Sequence, residues 1–319
     1  MTWHLFAAWL ATAASPAPAV PAPDAQFPAE EPAPPGVDVI ETAVERYRRL
    51  TVPVTIEGAG PFSFLIDTGA QATVLSHDLA TQLQLNDRKL AIVVGMASRR
   101  TTETVHIPEL TLGSRSFYIR AAPLLHAEHI GDVDGILGLD SLQDQRVLID
   151  FEEGRMSVDD AKQLGGNRGF EIVVKARRRL GQLIITRARI DGVTTAVVID
   201  TGAETSLGNP ALLKRLRRSR ALGPGQLTDV NGVEATGTVL LAKELELQDI
   251  RLANVAVMIV DAPPFHALGL TDEPALILGM RELTLFKRVA IDFHTRQILF
   301  DLPPQPFRFG SEDGRQLRL

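Results

Sequence analysis

The sequence predicts an all-β protein of two pseudo-symmetric barrel lobes on one chain, with few and short helices. Three observations carry this. The stretch Arg49 to Ser76 (RLTVPVTIEGAGPFSFLIDTGAQATVLS) is echoed by Leu183 to Asn209 (LIITRARIDGVTTAVVIDTGAETSLGN), each reading strand, turn, strand, then Asp-Thr-Gly-Ala. A second echo links Asp134 to Val158 (DGILGLDSLQDQRVLIDFEEGRMSV) with Ala275 to Phe300 (ALILGMRELTLFKRVAIDFHTRQILF). The two landmarks, Asp and the later Gly, lie 71 residues apart in the first copy (Asp67 to Gly138) and 79 in the second (Asp200 to Gly279), so both copies share one layout. Two copies are too few for a solenoid and point to a pseudo-symmetric pair.

The chain of 319 residues divides on composition. Leu5 to Ala14 is an apolar run too short to span a bilayer but suited to the core of a signal peptide, although the positive stretch that should precede it is reduced to the amino terminus and His4. Pro16 to Pro35 holds eight of the twenty prolines, a composition that stays extended. These features predict a leader over 1–19, a Pro/Ala-rich tether over 20–36, a first lobe over 37–158, a linker over 159–168, a second lobe over 169–302 and a tail over 303–319. The leader implies a periplasmic or secreted protein with no stable membrane span after processing.

Within the lobes, Val52 to Ile56, Phe62 to Ile66, Glu171 to Lys175, Leu183 to Thr186 and Ala196 to Ile199 read as strands, punctuated by turns at Gly58 to Pro61 and Asp191-Gly192. Ser76 is expected to cap a helix to about Gln84, and Asn209 with Pro210 one to about Arg218. In the latter, Leu212, Leu213 and Leu216 are expected inside, with Lys214, Arg215, Arg217, Arg218 and Arg220 in water.

Composition narrows the chemistry. With no cysteine, thiol catalysis, disulfides, zinc fingers and iron-sulfur clusters are excluded, and a net charge of -6 offers no general field for nucleic acid. The pair His126 and His129 lacks a patterned acid nearby, so neither metal nor other cofactor is expected. Nucleotide-binding Gly motifs in a strand-to-helix setting are missing as well.

The duplicated Asp-Thr-Gly carries the chemistry. One copy arises by chance in roughly one chain in twenty; two copies, each after an apolar strand and each at the same place in its repeat, do not. A carboxylate at a strand end, followed by a Gly that permits a tight loop, stands clear of the sheet. Pseudo-two-fold symmetry would set Asp67 against Asp200, and carboxylates that close share one proton, so that one can act as base toward water while the other acts as acid. Asp150 and Asp292, in the repeated Ile-Asp-Phe, lack the Thr-Gly and are expected to satisfy only backbone donors.

From Tyr47 to Leu302 the sequence resembles the aspartic protease superfamily, in particular retropepsin-like proteases fused in tandem. The resemblance implies that Asp67 and Asp200 are the catalytic pair, that Thr68 and Thr201 lock the two loops together, and that Gly69 and Gly202 complete them. Ile136, Leu137 and Gly138, and likewise Ile277, Leu278 and Gly279, occupy the place of the family's bracing element. The family's flaps are expected at Gly95 to Thr102 and Asn231 to Thr238, with Gly95 and Gly232 at their tips. Ala70 and Ala203 stand where pepsin-type enzymes carry Ser or Thr, which favours the retropepsin-like branch. Because neither can donate a hydroxyl to a carboxylate, the pair's apparent pKa values should be the higher for it. The implied activity is that of an endopeptidase acting on polypeptide as a monomer. Two alternatives stay open: an inactive peptide-binding or scaffold module, and lobes that pair between chains.

Overall fold

The computed structural model describes residues 50–303 apart from 114, 144, 217 and 218, and beyond them only the backbone pieces His4–Leu5, Val39–Glu41, Ala43–Val44 and Arg315–Arg318. The leader and tether expected for 1–36, and the tail, lie outside the described residues save for those pieces and residue 303.

Each lobe is a curled sheet closed on itself. In the first, Leu50–Ile56 and Ala59–Ile66 form a hairpin, Gly135–Leu137 and Val74–Ser76 follow, and then Arg115–Leu125 and Arg99–Leu112. Thr55 pairs with Thr111, which closes the ring. The second lobe repeats this with Gln182–Ile190, Val193–Ile199, Ala275–Leu278, Ser206–Gly208, Ile250–Ile259 and Glu234–Leu247, closed by Ala188 against Leu247. Closure pairs the first and last strands of each barrel, and the inward residues of alternating strands fill the interior. Val54, Ile56, Phe64, Ile107, Ile190, Leu245 and Leu252 are among those fully buried.

The turn at Asp191-Gly192 shows why the sequence folds this way locally. Both residues have positive φ (46° and 80°), the conformation a two-residue hairpin needs to match strand twist. Asp191 then accepts backbone N–H bonds from Lys243 (2.8 Å) and Glu244 (3.0 Å), tying the turn to the neighbouring strand.

The lobes are joined by a third sheet to which both contribute. Arg146–Asp150 pairs antiparallel with Arg288–Asp292, so that Leu148 faces Ala290 near the pseudo-two-fold axis. Arg155–Asp159, Gln297–Asp301 and Ile172–Lys175 extend it on either side. This sheet corrects the expectation for Asp292. Besides accepting the Thr295 N–H (2.7 Å), its buried carboxylate binds the buried Arg146 guanidinium at 2.7 and 3.1 Å. Asp150 behaves as expected, accepting from the N–H groups of Glu152 and Glu153. The linker begins inside a strand, since Asp159 ends Arg155–Asp159, and Arg146 reaches it through the Gly166 carbonyl and Asn167 (2.8 Å).

Five short α-helices complete the described residues. Ser76 caps His77–Gln82 by accepting the Leu79 N–H (3.1 Å), and Asn209 caps Pro210–Arg215 through Leu212 (2.8 Å). The second helix corrects one expectation: Leu212 and Leu216 are buried, but Leu213 is exposed. Residues four apart share a face, whereas Leu213 lies about 100° round from Leu212, and a helix this short buries only one narrow stripe. Among the described residues no helix is long and apolar enough to cross a membrane.

Candidate active site

Asp67 follows directly on the strand Ala59–Ile66, and Asp200 on Val193–Ile199. Each strand is flanked by the parallel bracing strand of its own lobe, Gly135–Leu137 or Ala275–Leu278. The Asp67 N–H donates to the Leu137 carbonyl and the Asp200 N–H to that of Leu278, both at 3.0 Å. Gly138 and Gly279 let the brace pass this closely. A Cβ on Gly138 would fall 2.5 Å from the Ala72 backbone, and one on Gly279 2.8 Å from the Ala203 carbonyl oxygen.

The loops after the two aspartates are built alike. Oδ1 of Asp67 accepts the N–H groups of Gly69 (2.7 Å) and Ala70 (2.9 Å); Oδ1 of Asp200 accepts those of Gly202 (2.9 Å) and Ala203 (3.1 Å). Across the axis, the Thr68 hydroxyl donates to the Ile199 carbonyl and accepts the Thr201 N–H, while the Thr201 hydroxyl donates to the Ile66 carbonyl and accepts the Thr68 N–H, all within 3.2 Å. These four buried bonds fix the separation of the loops.

That separation brings the carboxyls together. Asp67 and Asp200 are fully buried, and their carboxyls face each other across the axis closely enough to interact. Burial first, and then the charge of Asp67, hold the Asp200 carboxyl well above the usual carboxylate range, against the N–H groups of Gly202 and Ala203. Gly69 and Gly202 are required by contact: a Cβ on Gly69 would lie 2.5 Å from the Asp200 carboxyl carbon, and one on Gly202 2.4 Å from that of Asp67. Chemically, the result is a buried pair of carboxyls able to hold one proton between them, with one oxygen of each already occupied by backbone donors.

The hairpins between loop and brace are present in both lobes. Lys89–Val94 pairs with Arg99–Leu112 through the turn at Gly95 to Ser98, and Arg220–Thr228 with Glu234–Leu247 through the turn at Asp229 to Val233. Gly95 opens the first turn and Gly232 (φ 71°) lies within the second. The second segment expected from the sequence, Asn231 to Thr238, starts two residues late. Thr228 pairs with Glu234, so the turn already begins at Asp229.

Sequence reasoning missed several supporting residues. Thr73 accepts the Gly138 N–H (3.3 Å) and donates to Asp140 (2.7 Å); Ser206 accepts the Gly279 N–H (3.1 Å) and donates to Glu282. Burial raises the carboxyls of both Asp140 and Glu282. The signal was faint, because Asp140 is two residues past its glycine and Glu282 three past the other. Gln182, buried, donates to the Gly69 carbonyl across the lobes at 2.6 Å. The rings of His77, His126 and His129 lie in a row, the first pair tilted with centroids 4.8 Å apart and the second edge-on at 5.5 Å, which the spacing of the last two only half revealed.

The sequence model of one family, described as aspartyl protease, matches the chain twice, over residues 52–141 and 186–281. Each match contains one Asp-Thr-Gly loop and one brace. No curated protein matches the chain.

Proposed function

The chain belongs to the aspartyl protease family, and from that premise we propose that it is an aspartic-type endopeptidase whose lobes supply one carboxyl each. The observation that carries the reading is the approach of two buried carboxyls on equivalent loops, each set against the glycine of the opposite loop. In the monoanionic pair, the ionised carboxylate takes a proton from a water whose oxygen adds to the peptide carbonyl carbon. The protonated partner gives its proton to the carbonyl oxygen. Collapse of the tetrahedral species then breaks the C–N bond: the carboxyl that took the water's proton passes it to the leaving amine nitrogen, and the other takes a proton back from a hydroxyl of the tetrahedral carbon, which restores the monoanionic pair. No metal or organic cofactor is needed for these steps. An extended substrate strand would lie between the lobes, held through its backbone by the hairpins.

A family binder has no physical need for two like acids in contact, which is why the catalytic reading is preferred over the scaffold. The test is hydrolysis of an unfolded protein. Asp67→Asn and Asp200→Asn are each expected to lose activity by several orders of magnitude, and the double variant to lose little more, because the pair acts as one unit. Substantial turnover by either single variant would exclude the dyad.

We also propose export, on the strength of the apolar run Leu5 to Ala14 and the Pro-rich stretch after it. Amino-terminal sequencing of the protein recovered from whole cells tests this; a mature chain that still starts at Met1 would refute it.

A further inference from the structure

A cavity of about 390 Å³ opens on the second lobe, large enough for a side chain or a small ligand. Part of its wall is the short strand Arg177–Arg179, three consecutive arginines at the end of their sheet. This strand turns back through Leu180 and Gly181, both at positive φ (49° and 88°), and pairs with Gln182–Ile190 so that Arg177 lies beside Ile184. Ile184, Ala196, Leu270 and Pro274 make the rest of the lining largely apolar. The loop that carries the last two is held from below by the buried Asn209, whose side-chain amide donates to the carbonyls of Leu270 (2.6 Å) and Glu273 (2.8 Å).

Two details place polar groups in this apolar setting. Gly269 (φ 59°) leaves room for the Arg179 guanidinium, since a Cβ there would fall 2.4 Å from Nη2 and 2.9 Å from Cζ. A bulge between Ile185 and Ala188 breaks the register at Thr186, which joins the lining together with Thr194. The charges of the lining are then three guanidinium groups against the single carboxylate of Glu273.

The cavity shares a face of the lobe with the carboxyl pair. Val197 and Ile199 belong to the main core, whereas Val198 belongs to the cluster that also holds Ile184, Leu270 and, at its margin, Ala196. Side chains alternate along a strand, so Thr194, Ala196 and Val198 line one face and Asp200 comes next on it, about 13 Å beyond Ala196 at ~3.3 Å per residue. The arginine hairpin is also tied to the first lobe's loop. Gln71, the residue after Ala70, donates to the Leu180 carbonyl (2.8 Å), and Gln182 to that of Gly69. Charges on an edge strand guard against pairing with another chain. That role requires neither an apolar lining nor a guanidinium seated on a glycine.

We propose that this cavity selects an acidic residue of the polypeptide substrate, about four extended residues from the bond that is cut. Its methylene groups lie on Ile184 and Ala196, and its carboxylate is taken up by Arg177 and Arg179 through charge-assisted hydrogen bonds. The place of that residue in a substrate rests on the endopeptidase reading; the acid-binding cavity itself does not.

Peptides that share one cut site, with Glu, Gln or Lys moved through the flanking positions in turn, test the proposal. At one position about four residues out, Glu is expected to raise kcat/KM by about tenfold or more over Gln, and Lys to lower it. Arg177→Glu with Arg179→Glu should reverse that order while cutting the Gln peptide as the wild type does. No difference between Glu and Gln at any position, or a preference for Glu that survives the double variant, would overturn the proposal. Binding supplies an arm independent of cleavage, measured by fluorescence anisotropy in Asp200→Asn so that the peptide stays whole. A labelled Glu-rich peptide should bind about tenfold more tightly than its Gln counterpart, and adding Arg177→Gln with Arg179→Gln should abolish the difference. Equal affinities would overturn the site, and displacement by inorganic phosphate as effective as by unlabelled peptide would mark a small-anion site and overturn the assignment to polypeptide. A wild-type protein that cleaves no peptide would sink the endopeptidase reading while leaving the binding result to decide the cavity.

Discussion

Replacing Gly69 by alanine adds one methyl group and isolates the geometry of the carboxyl pair. The φ of Gly69 lies outside the left-handed region, so its backbone accepts alanine without strain. The methyl carbon, however, would stand 2.5 Å from Cγ and Oδ2 of Asp200 and 2.6 Å from Oδ1. Non-bonded carbon contacts settle near roughly 3.5 Å, so the loop and the Asp200 carboxyl must separate by about 1 Å. The Thr68 and Thr201 bonds resist such movement because they span the same gap. Misplacement of about 1 Å at reacting groups costs on the order of a hundredfold in rate. Overpacking should cost a further ~1–3 kcal/mol of stability. The assay is kcat on an unfolded protein near pH 5, corrected for folded fraction by circular dichroism. Gly202→Ala should match it, as its methyl meets the Asp67 carboxyl at 2.4 Å. Gly192→Ala is the control: its positive φ (80°) costs stability, yet nothing lies within 4 Å of the added carbon, and kcat per folded molecule should not change. A Gly69→Ala enzyme with kcat within threefold of wild type would refute the contact argument.

Four further outcomes are expected. Because Asp200 is raised in the folded protein, the native state holds a proton that the unfolded chain releases near pH 4. Stability therefore falls as pH rises from about 4 toward the folded pKa, so Asp200→Asn should melt higher than wild type at pH 7, with the gap closing toward pH 4; an equal or lower melting temperature at pH 7 would contradict this. The pH profile of cleavage should be bell-shaped and centred between about 4 and 6, since burial and the charge of Asp67 raise Asp200 and neither Ala70 nor Ala203 offers a hydroxyl to counter this; an optimum near pH 2 or a flat profile from 4 to 9 would count against it. Arg146→Ala leaves the Asp292 carboxylate buried without its partner and should cost about 3–5 kcal/mol in denaturant unfolding, with a loss under about 1 kcal/mol excluding a structural role for the pair. Specific activity should be constant on dilution, because both loops lie on one chain; a fall, with a sedimentation shift to dimer, would favour pairing between chains.

Much of the site was legible because duplication writes the same instruction twice. An apolar strand, then Asp-Thr-Gly, is local information: the strand period, the tight loop and the carboxylate at its end all reside in a few consecutive residues, and the repeat supplies the symmetry that sets Asp67 against Asp200. The caps at Ser76 and Asn209 and the turn at Asp191-Gly192 were legible for the same reason, each being settled within three or four residues of its signal. What the sequence could not determine was decided by contacts between residues far apart along the chain. Arg146 meets Asp292 only because two strands from different lobes share a sheet, and Asp229 meets Ser98 only because two hairpin tips cross the axis. Their partners lie 146 and 131 residues away, at spacings the repeat does not encode. Leu213 fails the pattern for a related reason: periodicity tells which residues could share a face, but the width of the face is set by what packs against it. Local chemistry determined the two loops; closure of the barrels and the axis between them decided that the loops, the braces and the tips converge on one buried pair.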